Sequence, residues 1–470
     1  MTVDENIKLV TPPISLSSRN PLKWFRFFGP GAIVASVSIG TGEILFPSRG
    51  GSLFGYQLLW IFLVISLMKW GLAYCSIRHM ILSGAHPFER WSSIPGPRGW
   101  FPLLMILLCV PFFPIWLSFV AGIFGNACTW IFGIGNLYIW GVIGLSMALI
   151  LLILGSYKIL EYFQTIILSL MVASIIVSVI YTQPDWIAVL KGFFYPQSLA
   201  YPDWALEKLP YLETRSIWVE ILVYVSVIGG PSFDYLSWVS FARDKKWGWS
   251  HLGLASQDQL NQIAQKPNHS ARLWLKAAFI DSATSFIMIV IISASFCILG
   301  RVILQPQHLI PDGIDLLNYQ ASFLTNLSTW LLPLYMASIL LAFFGSLYGS
   351  PEMQFRVVYE YLNTLPNWRE KISGPKLRQI TIVYGLVGGM AILWASSSYP
   401  GVQLIDIVTP TGILTGVLAC GFYCLANPWT DRRFLPAKLR MSGWLIALNV
   451  VAGVLFLLTG TKALWDYFLY

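Results

Sequence analysis

The sequence predicts an all-α polytopic membrane protein with about eleven transmembrane helices, two of them broken. Of the 470 residues, 56% are hydrophobic and 11% are charged, whereas soluble proteins carry about 25% charged residues. The mean hydropathy is +0.65. Two apolar runs are interrupted by glycines beside a carboxylate. Such interruptions are tolerated in a membrane only where protein or water satisfies the freed backbone groups.

The number of spans follows from the apolar runs. A transmembrane helix needs about 20 apolar residues, and eleven runs reach or approach that length. They are residues 27–47, 56–82, 101–126, 137–155, 160–182, 217–241, 273–299, 325–349, 379–398, 404–426 and 441–460. Pro111 and Pro114 interrupt the third run, which is consistent with one long kinked helix.

The distribution of Lys and Arg orients the chain. With a cytoplasmic N-terminus, 23 of the 30 basic residues fall in inner segments, 6 fall in outer segments, and Lys69 remains inside a span. Because cytoplasmic loops carry an excess of Lys and Arg, we expect a multi-pass protein of the cell (plasma) membrane with its N-terminus in the cytoplasm. Residues 1–26 would be a cytoplasmic tail, and residues 27–470 a single transmembrane domain that the first span directs into the membrane.

Several function classes are not predicted. The net charge of +8 lies in loops rather than on one face, so a nucleic-acid partner is not expected. The six cysteines all fall in apolar runs and indicate neither a disulfide framework nor a zinc ribbon. Without a helical His pair flanking a Glu and without a Walker A sequence, we expect neither an enzyme nor a bound cofactor. The expected partners are the lipid bilayer and a small ion or small molecule, and the oligomeric state is left open.

The first span is interrupted at Gly40-Thr41-Gly42-Glu43. Ionisable residues inside spans are costly and mark a pathway, a relay or a ligand site. Glu43 is therefore the first candidate for binding a cation or exchanging a proton. The alternative is a structural carboxylate that caps broken-helix N–H groups or pairs with a buried base.

The sixth span is interrupted in a similar way. Gly229-Gly230-Pro231 breaks the apolar run, and Ser232 and Asp234 follow directly. Two interrupted spans five helices apart are typical of inverted repeats with a binding site near the membrane midplane. One repeat would cover about residues 27–182, the other about residues 217–426, and the helix at 441–460 would be peripheral.

Further candidate residues are ionisable side chains in or near the spans. Asp234 is a candidate ligand or the N-cap of the second half of the sixth span. Lys69 is the counter-ion of Glu43, a fixed cation that stands in for a driving ion, or a member of a structural ion pair. Asp406 precedes a polar interruption of span ten and is a further candidate to line the pathway. Asp281 is expected to lie close enough to the inner end of span seven to be solvated.

The motifs around the first break point to a family. Phe28-Gly29-Pro30-Gly31, the interrupted helix and the run from Gly50 to Trp60 together resemble the first two spans of the NRAMP divalent-metal transporters. The likeness is specific over about residues 27–83, weaker at 217–243 and architectural elsewhere. It implies a LeuT-type fold of two inverted five-helix repeats that works by alternating access.

The sequence departs from this family where the family binds metal. The family's Asp-Pro-Gly-Asn is replaced by Gly40-Thr41-Gly42-Glu43, its Met-Pro-His by Gly230-Pro231-Ser232, and its acidic pair in span three is absent. Without the Met sulfur, a metal site of Glu43, Asp234, hydroxyls such as those of Thr41 or Ser232, and unwound carbonyls would contain only oxygen ligands. Oxygen ligands suit hard ions such as Mg²⁺, Ca²⁺ or Mn²⁺.

Three functions remain open from the sequence. The first is secondary transport of a hard divalent cation, with Gly40, Thr41, Glu43, Gly230, Ser232 and Asp234 as substrate-binding residues, Glu43 and Asp234 as metal ligands, and Lys69 and Asp406 in coupling or ion pairing. The second is transport of a small organic solute, such as an amino acid or amine, because Gly40 and Gly230 would widen the site. The third is a non-transporting membrane sensor or enzyme.

Overall fold

The computed structural model describes residues 9–18, 20–154, 158–311, 315–368, 371–398 and 404–469. Residues 1–8 and Arg19 of the predicted tail lie outside this part. The described residues are helical without strands. The principal helices are α1 (Pro30–Ser38), α2 (Phe46–Phe54), α3 (Leu59–Ser83), α4 (Trp100–Cys109), α5 (Phe113–Phe132), α6 (Leu137–Leu154), α7 (Lys158–Tyr181), α8 (Ile217–Val227), α9 (Ser232–Asp244), α10 (Leu275–Leu299), α11 (Asp315–Thr325), α12 (Leu332–Leu362), α13 (Gly374–Ser397), α14 (Leu404–Gly412), α15 (Ala419–Phe434) and α16 (Gly443–Leu469).

Each of the eleven apolar runs corresponds to one of these helices or to a broken pair. Within the described residues, nine helices are long and apolar enough to cross a membrane, or ten if a pair bent by 115° counts as one span. The bent pair, Ser169–Tyr181 with Trp186–Phe194, contains the fifth span. The first span accounts for the remaining difference from eleven, because α1 has only nine residues and α2 continues into α3 through the short turn at 55–58. The third span consists of α4 and α5, which meet at Pro111 as a kinked helix.

The broken helices lie at the centre of the bundle. Every described residue of α9 from Ser232 to Ala242 is buried. Helix α1 packs against α10 and α12, and α2 packs against α10. By contrast, α6 and α16 expose large apolar side chains, such as Leu154 at 70% and Leu458 at 65%. Such surfaces are covered by lipid in an integral membrane protein.

Candidate solute site at the two helix breaks

The first break keeps a helical backbone. After α1 the chain widens into a π-helical turn at Ile39–Glu43, and it bends again before α2, where Pro47 occupies the first turn. The two glycines of this turn allow close helix packing, since a Cβ on Gly40 would lie 2.3 Å from the Ala342 carbonyl oxygen and one on Gly42 would lie 2.5 Å from Val227 Cβ. Short π-helical turns are frequent at functional sites.

The sixth span is unwound instead. Between α8 and α9, Gly229 and Gly230 have φ angles of +73° and +87°, and Pro231 is extended. Positive φ is readily adopted by glycine alone. The sequence Gly-Gly-Pro therefore ends α8 and exposes its last carbonyl groups toward the neighbouring helices.

Glu43 connects the two breaks. Its side chain is fully buried, and its Oε1 accepts a hydrogen bond of 2.9 Å from the Gly229 N–H. Its Oε2 has no hydrogen-bond partner among the described residues. A buried carboxylate oxygen without a partner is costly, so Oε2 is available to a ligand.

The Lys69 ammonium lies at the C-terminal end of α8, next to the last carbonyl groups of the helix. Its buried ammonium donates to the carbonyl oxygens of Val225 at 2.9 Å, Ile228 at 2.8 Å and Gly230 at 2.9 Å, with a longer contact of 3.3 Å to Ser226. The ion pairs found among the described residues do not include Lys69. Glu43 and Asp234 nevertheless lie close enough for their charges to act on it.

Asp234 lies in the first turn of α9 without capping it. Pro231 is the N-cap, and no side chain caps this helix end. Asp234 is 2% exposed, and its Oδ1 has no hydrogen-bond partner among the described residues. A Cβ on Gly230 would lie 2.1 Å from Asp234 Oδ2, so Gly230 gives this carboxylate its space. The Ser232 hydroxyl lies 3.3 Å from Cys109 Sγ.

Three predicted site residues, Gly40, Thr41 and Asp406, contribute no described side-chain contact to this region. Gly40 faces α12 rather than an open space. Thr41 belongs to the π-helical turn and Asp406 to α14, and their side chains lie outside the described part of the structure.

The prediction that Asp281 is solvated is wrong. Asp281 is fully buried, and its carboxylate accepts hydrogen bonds of 2.9 Å from the N–H of Gly29 and of Gly31 and from Trp238 Nε1. The first N–H groups of a helix have no partner within the helix. A carboxylate from α10 therefore caps α1 and connects it to α9, which the sequence does not reveal because the partners are 250 positions apart.

Two further buried groups were not predicted. Arg49 in α2 forms an ion pair of 2.7 Å with Glu220 in α8, which also pairs with Arg215 at 2.9 Å. Glu220 lies inside the sixth apolar run, so the rule that singled out Glu43 could have found it. Gln320 Nε2 donates at 2.6 Å to the Ile44 carbonyl that the first break leaves free, and nothing in the sequence indicates that contact.

The carbonyl groups of the sixth break are already engaged. Lys69 binds four of the six carbonyls from 225 to 230. The Tyr235 hydroxyl donates to Gly229 O at 2.6 Å, and Gly230 N donates to Val227 O at 2.9 Å. The described residues contain no group of three or more His, Cys, Asp and Glu side chains placed to hold a metal. Glu43 and Asp234 are therefore the carboxylates that this region offers to a ligand.

Comparison with known sequences identifies relatives over most of the chain. A family described as natural resistance-associated macrophage protein-like matches residues 31–466. The divalent metal cation transporter MntH of Listeria welshimeri is 28% identical over 180 residues, which cover 37% of this chain and 39% of that protein. Human natural resistance-associated macrophage protein 2 is 25% identical over 200 residues, covering 41% and 34% of the two chains. These matches thus span less than half of the curated relatives' length.

Comparison with solved structures shows a similar fold. The manganese transporter of Eremococcus coleocola, solved with an aromatic bis-isothiourea compound, superposes with a TM-score of 0.66 at 14% identity. The superposition covers 98% of this chain and 90% of that one. At this identity the likeness extends to the arrangement of helices.

Proposed function

Because the chain belongs to the natural resistance-associated macrophage protein (Nramp) family, we propose that it is a secondary transporter of a divalent metal cation. The membership confirms the predicted family and extends it well beyond residues 27–83. The all-helical structure and its solved neighbours also confirm the predicted LeuT-type fold class. Membership in a family of transporters agrees with the prediction that the protein is not an enzyme. Transport would proceed by alternating access between two five-helix repeats, with the substrate at the two helix breaks.

The free carboxylate oxygens of Glu43 and Asp234 carry this proposal. Both residues are buried, both lie at a helix break, and each has one oxygen without a hydrogen-bond partner among the described residues. The two carboxylates also lie near enough to repel each other. Two neighbouring buried carboxylates are unfavourable unless a cation compensates their charge.

The ligand chemistry favours a hard cation. Carboxylates, the Ser232 hydroxyl and water provide oxygen donors, which suit Mg²⁺, Ca²⁺ or Mn²⁺. Glu43, Asp234 and Lys69 together carry one net negative charge when all are ionised. A divalent ion that keeps several water molecules matches a site with so few protein ligands.

A second candidate substrate is a small organic solute. It is favoured by the small number of metal-binding side chains in the described residues and by the positive charge of Lys69 beside the site. The N-terminus of α9 offers a further position for a substrate carboxylate, since half-helix N-termini bind anionic groups in transporters of this architecture. An amino acid or amine would then use Glu43 to bind its ammonium group.

Uptake into proteoliposomes distinguishes these substrates. We expect the purified protein to accumulate Mg²⁺, Mn²⁺ or Ca²⁺, and Glu43→Gln to reduce the initial rate by more than about 100-fold. Glu207→Gln, which changes an exposed carboxylate in a short helix outside the spans, is the matched control and should retain uptake. Unchanged metal uptake in Glu43→Gln would remove Glu43 from the mechanism. Stabilisation of the protein by amino acids or amines, but not by metals, would favour the organic solute.

We also propose the orientation predicted from the basic residues. Ser93 and Ser198 are both exposed and lie in segments predicted to face opposite sides, whereas the six native cysteines are buried. In intact cells, a membrane-impermeant maleimide should label Ser198→Cys and leave Ser93→Cys unlabelled until the cells are opened. The reverse pattern would contradict a cytoplasmic N-terminus.

A further inference from the structure

The Lys69 ammonium lies in an environment that resembles an ion-binding site more than an ion pair. Four backbone carbonyl oxygens surround Nζ at 2.8 to 3.3 Å, and all of them come from the segment 225–230. This segment contains the end of α8, where carbonyl groups lack helical partners and the helix dipole is negative. An ammonium has three hydrogens, so one of the four carbonyls must share a donor.

The size of this carbonyl cage distinguishes between cations. Its distances are longer than the 2.3–2.6 Å of Ca²⁺ to oxygen and the 2.0–2.1 Å typical of Mg²⁺. Rings of backbone carbonyls replace the hydration shell of K⁺ in channels. The cage therefore fits a monovalent cation of about the size of ammonium or K⁺, and its four ligands are neutral carbonyl oxygens.

The Lys69 side chain reaches this cage from another helix. Lys69 lies in α3, more than 150 positions from the carbonyls that it binds, and its side chain is 0% exposed. Burial of a lysine is costly unless its charge is compensated. Here the break in α8 compensates that charge, and the lysine in turn satisfies carbonyls that the break leaves unpaired.

We propose that the carbonyl oxygens of residues 225, 226, 228 and 230 form a monovalent-cation site that Lys69 occupies permanently. The wild-type protein therefore needs no soluble Na⁺ or K⁺ to hold the sixth span in its broken form. Shortening Lys69 opens the cage and makes it accessible to K⁺, ammonium or a small alkylammonium ion. The consequence for transport rests on the proposed function, whereas the binding of cations to the cage does not.

The melting temperature of the purified full-length protein tests the cage directly. Lys69→Ala, the wild type and Lys438→Ala are compared in KCl, ammonium chloride, methylammonium chloride and N-methylglucamine chloride at equal ionic strength. Lys438 is the control because its side chain is exposed in a short helical turn outside the spans. For Lys69→Ala we expect a saturable rise of about 2 °C or more with the small cations, and no cation-specific rise in the other two proteins.

Two results would overturn the proposal. One is a Lys69→Ala protein whose melting temperature is the same in all four salts. The other is a wild-type protein that K⁺ or ammonium stabilises specifically, since an occupied cage has no room for them. This second measurement uses the wild type alone, so it can still contradict the proposal if Lys69→Ala cannot be purified.

A transport measurement then separates this inference from the proposed function. Wild-type proteoliposomes that take up a divalent metal should do so at the same rate when Na⁺ and K⁺ are replaced by N-methylglucamine on both sides. A rate that depends on Na⁺ or K⁺ would contradict the permanent occupation by Lys69. If no substrate is taken up under any condition, the proposed function fails, while the melting experiment still tests the cage.

Discussion

The breaks in the first and sixth spans differ in backbone and in charge. Between α1 and α2 the chain remains helical as a widened turn at Ile39–Glu43, whereas between α8 and α9 it is unwound at two glycines with positive φ. The first break presents an acid with a free oxygen. The sixth break presents carbonyls that already accept hydrogen bonds from Lys69 and from Tyr235.

This difference indicates a division of roles. The sixth break is held by a buried cation, so its carbonyl end has a structural role. The first break keeps a carboxylate oxygen available, and Asp234 adds a second one from the start of α9. We therefore expect substitutions at Lys69 to reduce stability and substitutions at Glu43 to reduce transport.

The largest effect on stability is expected for Lys69→Met. Methionine fills a similar volume but leaves the carbonyls of the sixth break without their donor. Unpaired buried groups and a lost buried charge predict a destabilisation of about 4 kcal/mol, measured as a lower melting temperature in detergent. Lys438→Met, at an exposed position outside the spans, should cost less than about 0.5 kcal/mol. Equal melting temperatures of Lys69→Met and the wild type would show that the cation does not hold this break.

A smaller loss is expected for Asp281→Ala, which acts on both broken spans at once. The substitution removes the cap of α1 and the acceptor of Trp238 in α9. Hydrogen bonds to a charged group contribute about 1.5–3 kcal/mol each, so we expect a loss of about 3 kcal/mol. Asp281→Asn retains an acceptor oxygen and should lose less. A larger loss for the Asn variant would contradict the capping role.

Replacing one glycine at each break by alanine tests which backbone is more strongly constrained to glycine. A Cβ at either position meets a close contact, at 2.1 Å from Asp234 Oδ2 for Gly230 and at 2.5 Å from Val227 Cβ for Gly42. Gly230 alone of the two has a positive φ. Backbone strain of this kind costs about 1–3 kcal/mol in addition, so Gly230→Ala should be the less stable variant. If Gly42→Ala were less stable, the first break would be the more constrained one.

Glu43→Gln should have a small effect on stability, in contrast to the large loss of uptake that we expect for it. Glutamine retains an oxygen that can accept from Gly229 N–H, and it removes a buried charge. We expect its free energy of unfolding to differ by less than about 1 kcal/mol from that of the wild type. A destabilisation as large as that of Lys69→Met would mean that the two breaks do not differ in role.

The smallest effect concerns a histidine that supports α9 from outside the spans. His86 Nε2 donates to the Leu236 carbonyl at 3.1 Å, and burial, opposed by Glu360 and reinforced by Arg243, lowers the pKa of His86 to about 4. Because the unfolded chain binds this proton near pH 6.5, the stabilisation is complete above that pH and is lost as pH falls toward 4. Between pH 7 and 5.5 we expect a loss of about 1 kcal/mol.

His86→Gln should remove this part of the pH dependence. His308→Gln changes an exposed histidine and serves as the control, with the wild-type dependence retained. Thermal melting between pH 7 and 5.5 measures both. An unchanged pH dependence in His86→Gln would assign the acid sensitivity to another group.

The positions of the breaks could be predicted from sequence because glycine and proline act locally. Gly40 and Gly42 mark the π-helical turn, and Gly229-Gly230-Pro231 marks the unwound segment. Glu43 can be identified because an ionisable side chain inside an apolar span is energetically costly. The sequence could not distinguish a widened turn from an unwound one, since that difference depends on how closely α8 and α12 approach the glycines.

The partners of the charged groups could not be predicted. Lys69 binds main-chain carbonyls, which every residue possesses and which leave no sequence pattern. Asp281 caps a helix that lies 250 positions away in the chain. Such contacts are set by the packing of whole helices, which a single sequence does not encode in any local motif.

An anomalous-scattering map of crystals soaked in Mn²⁺ tests the role of the first break most directly. We predict a peak at the free oxygens of Glu43 and Asp234, at about 2.0–2.6 Å from Glu43 Oε2, and no peak in Glu43→Gln crystals soaked in the same way. A peak that remains in Glu43→Gln, or one that lies away from both helix breaks, would contradict the assignment of Glu43 as the cation ligand.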